Sequence, residues 1–386
     1  MKLIHTADLH LGKQFYGFSI LADQEHILSQ IIRIAETEHA DGVLIAGDIF
    51  DTPVASRAAV DLLNTFLTTL ADRQIAVFLV SGNHDSPERI HYGSSLMDTR
   101  GMYISGIYDE NRAVRVVTVS DTYGPVHICL LPYLDPATVR SCERFADCSI
   151  TTFDDAVRAV LGTVPLTPAD RCVLVAHQFF AGSGVLPVSS ESERVIIGGI
   201  EQVETDVLAP FDYAALGHLH MPQKVGSPTI RYAGSPLKYS PSEYRGTKSV
   251  TVVELFEKGN VTVRQVPLIP LHDLRILTGT LADLIRPGAD AGDPEDYMVI
   301  RLTDTVPPPD TMARLRSVYP RIIRLEILAE GQLPSVVTGA RMEDLQRKSD
   351  LELFEGFFAE VCGRSMTEFQ QQTVAEILQD IAGGKS

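Results

Sequence analysis

Residues 75–85 read IAVFLVSGNHD, an apolar run that changes at Gly82 into small and polar residues. The run is short and continuous, as is typical of a strand buried in a parallel sheet. The loop after it offers an amide oxygen, an imidazole and a carboxylate, from Asn83, His84 and Asp85. Open α/β sheets place ligands and catalytic groups in such loops, so this one is either a metal or acid–base site or an ordinary polar loop.

Several other apolar runs also end in residue types that bind metals. The residues at their ends are Asp8, His10, Asp48, His177, His218 and His220. Together with Asn83 and His84, they bring five of the chain's 11 histidines into a few loops. Oxygen and imidazole donors that recur at five strand ends favour one shared metal site over separate structural roles.

A donor set of carboxylates, imidazoles and an amide, without cysteine, suits Mn²⁺, Fe²⁺ or Zn²⁺, and the donors suffice for two ions bridged by a carboxylate. Two ions about 3.5–4 Å apart can hold a hydroxide nucleophile and offset the charge that develops in an in-line displacement at phosphorus. A histidine beside the ions but not bound to them can protonate the leaving alkoxide. The predicted reaction is therefore phosphoester hydrolysis.

The order of the elements predicts an α/β fold. Apolar residues at helical spacing fall within 21–35 and 60–70, and each of these helices stands between two short apolar runs. This βαβαβ order predicts parallel strands joined by helical crossovers. A hairpin is predicted for 250–256 and 261–266, and we expect the first domain, 1–270, to end after it.

The remainder of the chain is predicted to have three further parts. Residues 271–330 have the pattern of a small α/β module, 331–348 are polar like a linker, and 349–386 have the pattern of two amphipathic helices. Apolar positions of these helices include Leu351, Phe354, Phe358, Val374, Ile377 and Ile381. Such helices either dock onto a partner or pack back on their own domain, and the pattern alone leaves both interpretations open.

Composition and charge exclude some classes of protein. The chain has 386 residues, 45% of them hydrophobic, and no apolar run has the length of a signal peptide or a membrane span, so we expect a cytoplasmic protein. The net charge of −17 argues against a surface that binds nucleic acid throughout.

In residues 221–249 the balance of charge becomes positive, with tyrosines interleaved among Lys224, Arg231, Lys238, Arg245 and Lys248. This segment is either a local contact for a phosphate backbone or a solvated loop.

The motifs D-x-H, G-D-x-x-D, G-N-H-D, a later single histidine and G-H-x-H stand in this order along the chain. They are Asp8 to His10, Gly47 to Asp51, Gly82 to Asp85, His177, and Gly217 to His220. In this order they resemble the calcineurin-like metallophosphoesterases, which implies a two-sheet β-sandwich flanked by helices and a site for two metal ions. The resemblance assigns one metal to Asp8, His10, Asp48 and His220, with Asp48 bridging. It assigns the other to Asn83, His177 and His218, and it makes His84 the general acid.

The segment YAGSPL at 232–237 and the motif LELF at 351–354 narrow the resemblance to nuclease subunits that act with a coiled-coil ATPase of the SbcC type. This implies a Mn²⁺-dependent nuclease, an exonuclease on duplex ends and an endonuclease on single strands or hairpins, acting in DNA repair, recombination and replication. It also implies that residues 271–330 form a capping domain that helps to present DNA. The C-terminal helices would bind the ATPase, and two nuclease domains would form a homodimer within a heterotetramer.

Asp51 departs from the family pattern, since archaeal and eukaryotic relatives carry a histidine at this position. Asp51 either orients a water or a ligand, or caps a helix predicted to begin at Pro53. Two rival functions are a free-standing phosphodiesterase or phosphatase and a scaffold that binds DNA and partner without cleaving. The complete donor set disfavours the scaffold, and removal of residues 341–386 discriminates a free-standing enzyme from a subunit.

Overall fold

The computed structural model describes residues 1–108, 114–182, 186–193, 201–286 and 292–328, together with part of 351–375. The chain groups into two compact units, 1–327 and 328–386. Among the described residues, no helix is both long enough and apolar enough to cross a membrane. The sheets described below all belong to the first unit.

A six-stranded sheet contains the first apolar runs of the chain. Its strands, in spatial order, are Val261–Pro267, Ser249–Leu255, Lys2–Thr6, Gly42–Ala46, Ala76–Val80 and Met102–Ser105. The last four run parallel, and the predicted hairpin pairs antiparallel with the strand Lys2–Thr6. Helices Leu21–Thr37 and Arg57–Asp72 form the crossovers, as their apolar spacing predicts.

A second six-stranded sheet is built from the middle of the chain. Its strands, in spatial order, are Gln223–Val225, Ser227–Tyr232, Tyr213–Gly217, Arg171–His177, Gly124–Leu131 and Arg115–Asp121. The four inner strands run parallel, and the two edge strands run antiparallel to their neighbours. Helix Phe153–Leu161 begins with a capping box, in which Thr152 and Asp155 each accept a hydrogen bond from the other's backbone N–H.

The two sheets pack face to face. The core between them includes Leu3, Leu44, Phe78, Ile128, Val173 and Tyr213. On the outer face of the first sheet lie Ile31 and Phe66 of the two crossover helices, and Val157 of helix Phe153–Leu161 lies on the outer face of the second. Strands that are buried on both faces read as continuous apolar runs. The expected two-sheet sandwich flanked by helices is confirmed.

Short elements connect these layers. Two small strand pairs join Gln14–Phe15 to Phe18–Ser19 and Phe180–Ala181 to Val203–Glu204. The short α-helices are Pro87–His91, Ser94–Met97 and Pro136–Arg140. The 3₁₀ helices are Asp98–Arg100, Glu143–Phe145, Thr205–Leu208 and Pro241–Glu243.

Residues 274–327 form a small α/β layer with its own apolar core. Its strands Leu274–Gly279, Tyr297–Leu302 and Ile322–Ile327 are parallel, and its helices are Leu281–Leu284 and Thr311–Arg316. Met298, Ile300, Leu302, Leu315 and Tyr319 are buried in that core. Asp23 of helix Leu21–Thr37 ties the layer to the sandwich, because its carboxylate accepts hydrogen bonds from His272 N and Tyr297 OH, both at 3.1 Å.

In the second unit, Leu351, Phe354, Phe358 and residues 370–375, which include Val374, have helical conformation. Thr367 N–H donates to Gln370 Oε1 at 3.0 Å, and Gln370 N–H donates to Thr367 Oγ1 at 3.4 Å, a reciprocal pair that is typical of a helix start. The predicted positions Ile377 and Ile381, and the predicted linker 331–348, lie outside the described residues.

Candidate metal centre

The predicted donor residues converge at one edge of the sandwich, where parallel strands of both sheets end. Their donor atoms form three groups, and within each group all atoms lie within 4.8 Å of one another. The groups are Asp8, His10 and His220; His10, Asp48 and His84; and Asp8, Asp48 and His177. Carboxyl ends of parallel strands share one edge of a sheet, and packing of the two sheets brings the two edges together.

Glycines allow the donor loops to approach one another closely at this edge. A Cβ atom at Gly217 would lie 1.7 Å from the backbone oxygen of Ala46, and one at Gly82 would lie 2.1 Å from Asp48 Oδ1. Only a residue without a side chain fits such distances. The glycine of the G-H-x-H motif is therefore explained by the contact between the two sheets, and the glycine of the G-N-H-D motif by close packing against Asp48, which follows the neighbouring strand of the same sheet.

The donor loops have strained backbones. Asp8, His10, Asp48 and His218 have positive φ values of 53°, 43°, 49° and 103°. Such conformations cost on the order of 1–3 kcal/mol each and persist only where the surroundings enforce them. Here the loops after strands Lys2–Thr6 and Gly42–Ala46 hold each other's backbone in place, since Asp8 N–H donates to Gly47 O at 3.0 Å and His10 N–H donates to Asp48 O at 2.9 Å.

Asp48 lies at the centre of the cluster. Its Oδ2 is 3.5 Å from His10 Nε2 and 3.4 Å from His177 Nε2, and its Oδ1 accepts a hydrogen bond from His84 N–H at 2.9 Å. Asn83 Oδ1 is 2.9 Å from His177 Nε2 and 3.3 Å from His218 Nδ1. A carboxylate between two groups of donors has the position of a bridging ligand.

Several donor atoms are buried without a hydrogen-bond partner, which tests whether the cluster fits metal ions. They are Asp8 Oδ2, His10 Nε2 and His218 Nε2. His177 Nδ1 lies 2.9 Å from the backbone oxygen of Ala46, to which it donates, so Nε2 faces the cluster. Buried polar atoms are normally paired, and lone pairs that face one another fit divalent cations between them.

The electrostatics of the cluster also fit a cation. Burial raises the pKa of Asp8 well above its usual range, and the neighbouring Asp48 carboxylate adds to this rise. Burial acts to raise the pKa of Asp48 as well, but the charged His177 ring holds it well below its usual range. Burial acts to lower the pKa of His177, but the Asp48 and Asp8 carboxylates outweigh it and raise that pKa to about 9, so a bound cation would take the place of the proton on Nε2. Burial lowers the pKa of His10 to about 4 and that of His218 to about 3. At neutral pH these two imidazoles are uncharged, so their lone pairs are available to a metal.

His84 stands beside the cluster and is half-buried. Its Nδ1 lies 3.0 Å from the backbone oxygen of Asp51, to which it donates, and its ring packs edge-on against the ring of His10 at 4.8 Å. The Asp51 carbonyl therefore fixes the orientation of the His84 ring and leaves Nε2 available for a further contact.

Asp51 belongs to the site rather than to a helix cap. Helix Arg57–Asp72 begins after Ser56, whose Oγ accepts from Ala59 N–H at 3.3 Å, so the hypothesis that Asp51 caps a helix at Pro53 is wrong. Asp51 Oδ1 is 3.4 Å from His10 Nδ1 and accepts from Lys13 Nζ at 2.7 Å. The carboxylate lies beside a candidate metal ligand instead.

The five basic residues predicted to meet DNA differ in exposure and in pairing. Lys224 and Arg245 are exposed, Arg231 is half-buried, and Lys238 pairs with Asp273 at 2.8 Å. Lys248 is buried and pairs with Glu243, so the prediction that Lys248 contacts a phosphate backbone is corrected. Sequence spacing could not separate these cases, because the burial of Lys248 depends on a fold that surrounds it.

Comparison with known proteins identifies the family. Residues 1–222 match the calcineurin-like phosphoesterase family, and residues 270–361 match a family described as the type 5 capsule protein repressor C-terminal domain. The SbcD subunit of nuclease SbcCD from Staphylococcus saprophyticus subsp. saprophyticus is 32% identical over 386 residues, and its counterpart from Staphylococcus epidermidis is 30% identical over 387 residues. Each alignment covers 98% of this chain and 98% of the relative. The chain belongs to the SbcD family of calcineurin-like phosphoesterases. A solved dimetal phosphatase from Danio rerio aligns with 69% of this chain and 95% of its own length, at 14% identity and a TM-score of 0.42.

Sequence reasoning missed several buried or half-buried side chains that hold the donor loops of this SbcD-family chain. Gln24 contacts the loop after the first strand, and Ser192, Glu193 and Glu243 contact His220 or its hydrogen-bond partners. These residues form no motif with the donors in a single sequence. Of these residues, only Glu243 stands out in the sequence, because it is the sole acidic residue of the basic segment 221–249. This feature does not indicate that Glu243 contacts the partners of His220.

Proposed function

We propose that this chain is the nuclease subunit of a nuclease–ATPase complex and that it hydrolyses DNA phosphodiesters with two divalent metal ions, Mn²⁺ in the active form. The observation that supports it best is the set of buried, unpartnered donor atoms at the strand ends of an SbcD-family chain. The activity has two forms in this proposal, exonuclease on duplex ends and endonuclease on single strands or hairpins. It serves DNA repair, recombination and replication in the cytoplasm.

In the proposal, one metal is held by Asp8, His10, Asp48 and His220, and the other by Asn83, His177 and His218, with Asp48 shared. The bound ions would supply a hydroxide nucleophile at neutral pH and offset the negative charge of the phosphoryl oxygens. The central position of Asp48, between His10 and His177, supports its assignment as the bridge.

His84 is the proposed general acid. Its backbone N–H is bonded to Asp48 and its Nδ1–H to Asp51, so the ring is fixed beside the donors without belonging to the proposed ligand set. Nε2 of the protonated ring then donates to the alkoxide that leaves, and the Asp51 carbonyl stabilises the remaining Nδ1–H.

We propose residues 1–270 as the nuclease domain, 271–330 as a capping domain that presents DNA, 331–348 as a linker and 349–386 as the segment that binds an SbcC-type ATPase. The separate core of residues 274–327 and the separate compact unit 328–386 support this division. The proposed partner contacts are Leu351, Phe354, Phe358, Val374, Ile377 and Ile381.

We also propose that two copies of the chain form a homodimer within a heterotetramer. An exposed apolar patch lies beside the groove between helix Arg57–Asp72 and residues 86–97, a groove of about 360 Å³. Tyr92 lines this groove and is 84% exposed. Val54 and Leu96, each next in the chain to a residue that lines the groove, are 69% and 80% exposed. An apolar patch of this kind suits a two-fold interface, in which the same surface meets itself.

The proposal is tested by cleavage of a linear duplex and of a single-stranded circle by the purified chain with Mn²⁺, with and without the ATPase and ATP. We expect the chain alone to cut single strands and to degrade duplex ends only with ATPase and ATP. His84→Gln should lower kcat by about 100- to 10,000-fold while Mn²⁺ binding persists. The matched control is His39→Gln, because His39 is exposed at the end of helix Leu21–Thr37.

Turnover of a generic phosphodiester without cleavage of either DNA would favour a free-standing phosphodiesterase. Deletion of residues 341–386 separates the same alternatives. A subunit should lose ATP-stimulated duplex cleavage and keep its metal-dependent activity, whereas a free-standing enzyme should keep full activity on its natural substrate. If the chain binds Mn²⁺ but cleaves neither DNA nor a generic phosphodiester, the result would favour the scaffold that binds without cleaving.

A further inference from the structure

Hydrogen bonds around His220 form a closed ring of side chains. His220 Nδ1 and Ser192 Oγ are 2.7 Å apart, and the Ser192 hydroxyl donates to Glu243 Oε1 at 3.0 Å. Glu243 pairs with Lys248, and Lys248 Nζ donates to the backbone oxygen of His220 at 2.7 Å. The imidazole and the backbone of His220 are thus held by the same three residues.

The direction of these hydrogen bonds determines the tautomer of His220. The Ser192 hydroxyl has one hydrogen, and the carboxylate of Glu243 can only accept it. Ser192 Oγ is then an acceptor toward His220, so Nδ1 carries the hydrogen of the neutral imidazole. Nε2 is left with its lone pair, and His220 lies in the same donor group as Asp8 and His10.

The charged members of the ring are removed from water. The side chains of Glu243 and Lys248 are 0% and 4% exposed. A buried ion pair adds little net stability compared with apolar residues of similar size, because desolvation of both charges offsets their attraction. The pair holds a carboxylate in one place, which is what a hydrogen-bond chain to a ligand requires.

We propose that Ser192 and Glu243 are positioning residues, which orient the His220 ring so that Nε2 binds a metal, and that Lys248 holds Glu243 in place. The inference rests on the proposed metal site and does not depend on the substrate. It gives a role to Lys248 in place of the phosphate contact that its sequence context predicted.

The test is a Mn²⁺ titration of the full chain, followed by the electron paramagnetic resonance signal of free Mn²⁺. We expect Ser192→Ala to weaken one of the two bound ions by about 10- to 100-fold, the range for loss of such supporting contacts. Ser192→Thr keeps the hydroxyl and should bind as the wild type does. The control is Ser242→Ala, because Ser242 accepts from Glu191 N–H at 3.1 Å and so joins the same two loops without touching His220.

A second variant separates positioning from stability. Glu243→Met with Lys248→Met removes both buried charges, and we expect it to fold, as measured by thermal unfolding in EDTA, yet to show the same loss of Mn²⁺ affinity as Ser192→Ala. Wild-type affinity in Ser192→Ala, or an equal loss in Ser242→Ala, would overturn the inference. Absence of Mn²⁺ binding by the wild-type chain would instead overturn the proposed function.

Discussion

Gln24 is expected to hold the first donor loop in its strained conformation. The side chain is buried on the first turn of helix Leu21–Thr37, where Nε2 donates to His10 O at 2.7 Å and to Leu9 O at 3.2 Å. Oε1 accepts from Gly12 N–H at 3.0 Å. One amide therefore binds three backbone groups of a loop in which His10 has a φ of 43°. We predict that Gln24→Leu releases this loop.

The size of the loss in unfolding free energy follows from the hydrogen-bond partners that the loop keeps in Gln24→Leu. Leu9 O still accepts from Tyr239 OH at 2.6 Å, and His10 O still accepts from Lys13 N–H at 3.1 Å, so each carbonyl loses about 0.5–1 kcal/mol. Gly12 N–H loses the partner that Gln24 supplied and costs about 1–3 kcal/mol if it stays buried. The expected loss in the free energy of unfolding is about 2–5 kcal/mol.

Urea titrations in EDTA measure this loss without any contribution from bound metal. Gln30→Leu is the matched control, because Gln30 lies on the same helix and makes two hydrogen bonds to the backbone of Ile269 at the surface. Water can replace those bonds, so the control should lose less than about 1 kcal/mol. Equal losses in the two variants would refute the argument. Mn²⁺ affinity should also fall in Gln24→Leu, since Asp8 and His10 would no longer be held together.

Three further changes test other parts of the structure. In Gly217→Ala a methyl group would lie 1.7 Å from Ala46 O, so the sheets must separate, and the free energy of unfolding measured in urea should fall by more than about 3 kcal/mol. The control Gly259→Ala places its methyl group in open space at a φ of 81° and should cost about 1 kcal/mol. Similar losses in the two variants would contradict the steric explanation. Burial lowers the pKa of His5 to about 3 from the 6.5 of an unfolded chain, so the unfolded state takes up a proton as the pH falls through 6.5 and stability declines toward pH 3. Between pH 8 and pH 5 the free energy of unfolding should fall by about 2 kcal/mol through this residue, and urea titrations should show that His5→Asn lacks this loss. The same pH dependence in both proteins would be the contrary result. Arg245→Ala should lower the salt dependence of DNA affinity, measured by fluorescence anisotropy, by about one unit of slope if the guanidinium binds a phosphate, and an unchanged slope would remove it from the interface.

The sequence alone determined the elements and most of the donor set. Apolar runs such as 75–80 and the periodicity of 60–70 are local properties, so they predicted the strands and crossover helices that the structure contains. The donors at Asp8, Asp48 and His177 could also be predicted, because a parallel strand exposes whatever follows its carboxyl end to one shared edge. Their assignment to two particular metals stays a prediction.

What surrounds the donors was decided only by the tertiary structure. Ser192 meets His220 across 28 residues of chain and Glu243 across 51 residues, and His5 meets Tyr213 across 208 residues. Such contacts leave no periodic pattern in one sequence, so nothing local showed that Lys248 is a buried partner of Glu243 rather than a surface cation. Burial and pairing depend on which distant segments pack together, and that packing is a property of the whole fold.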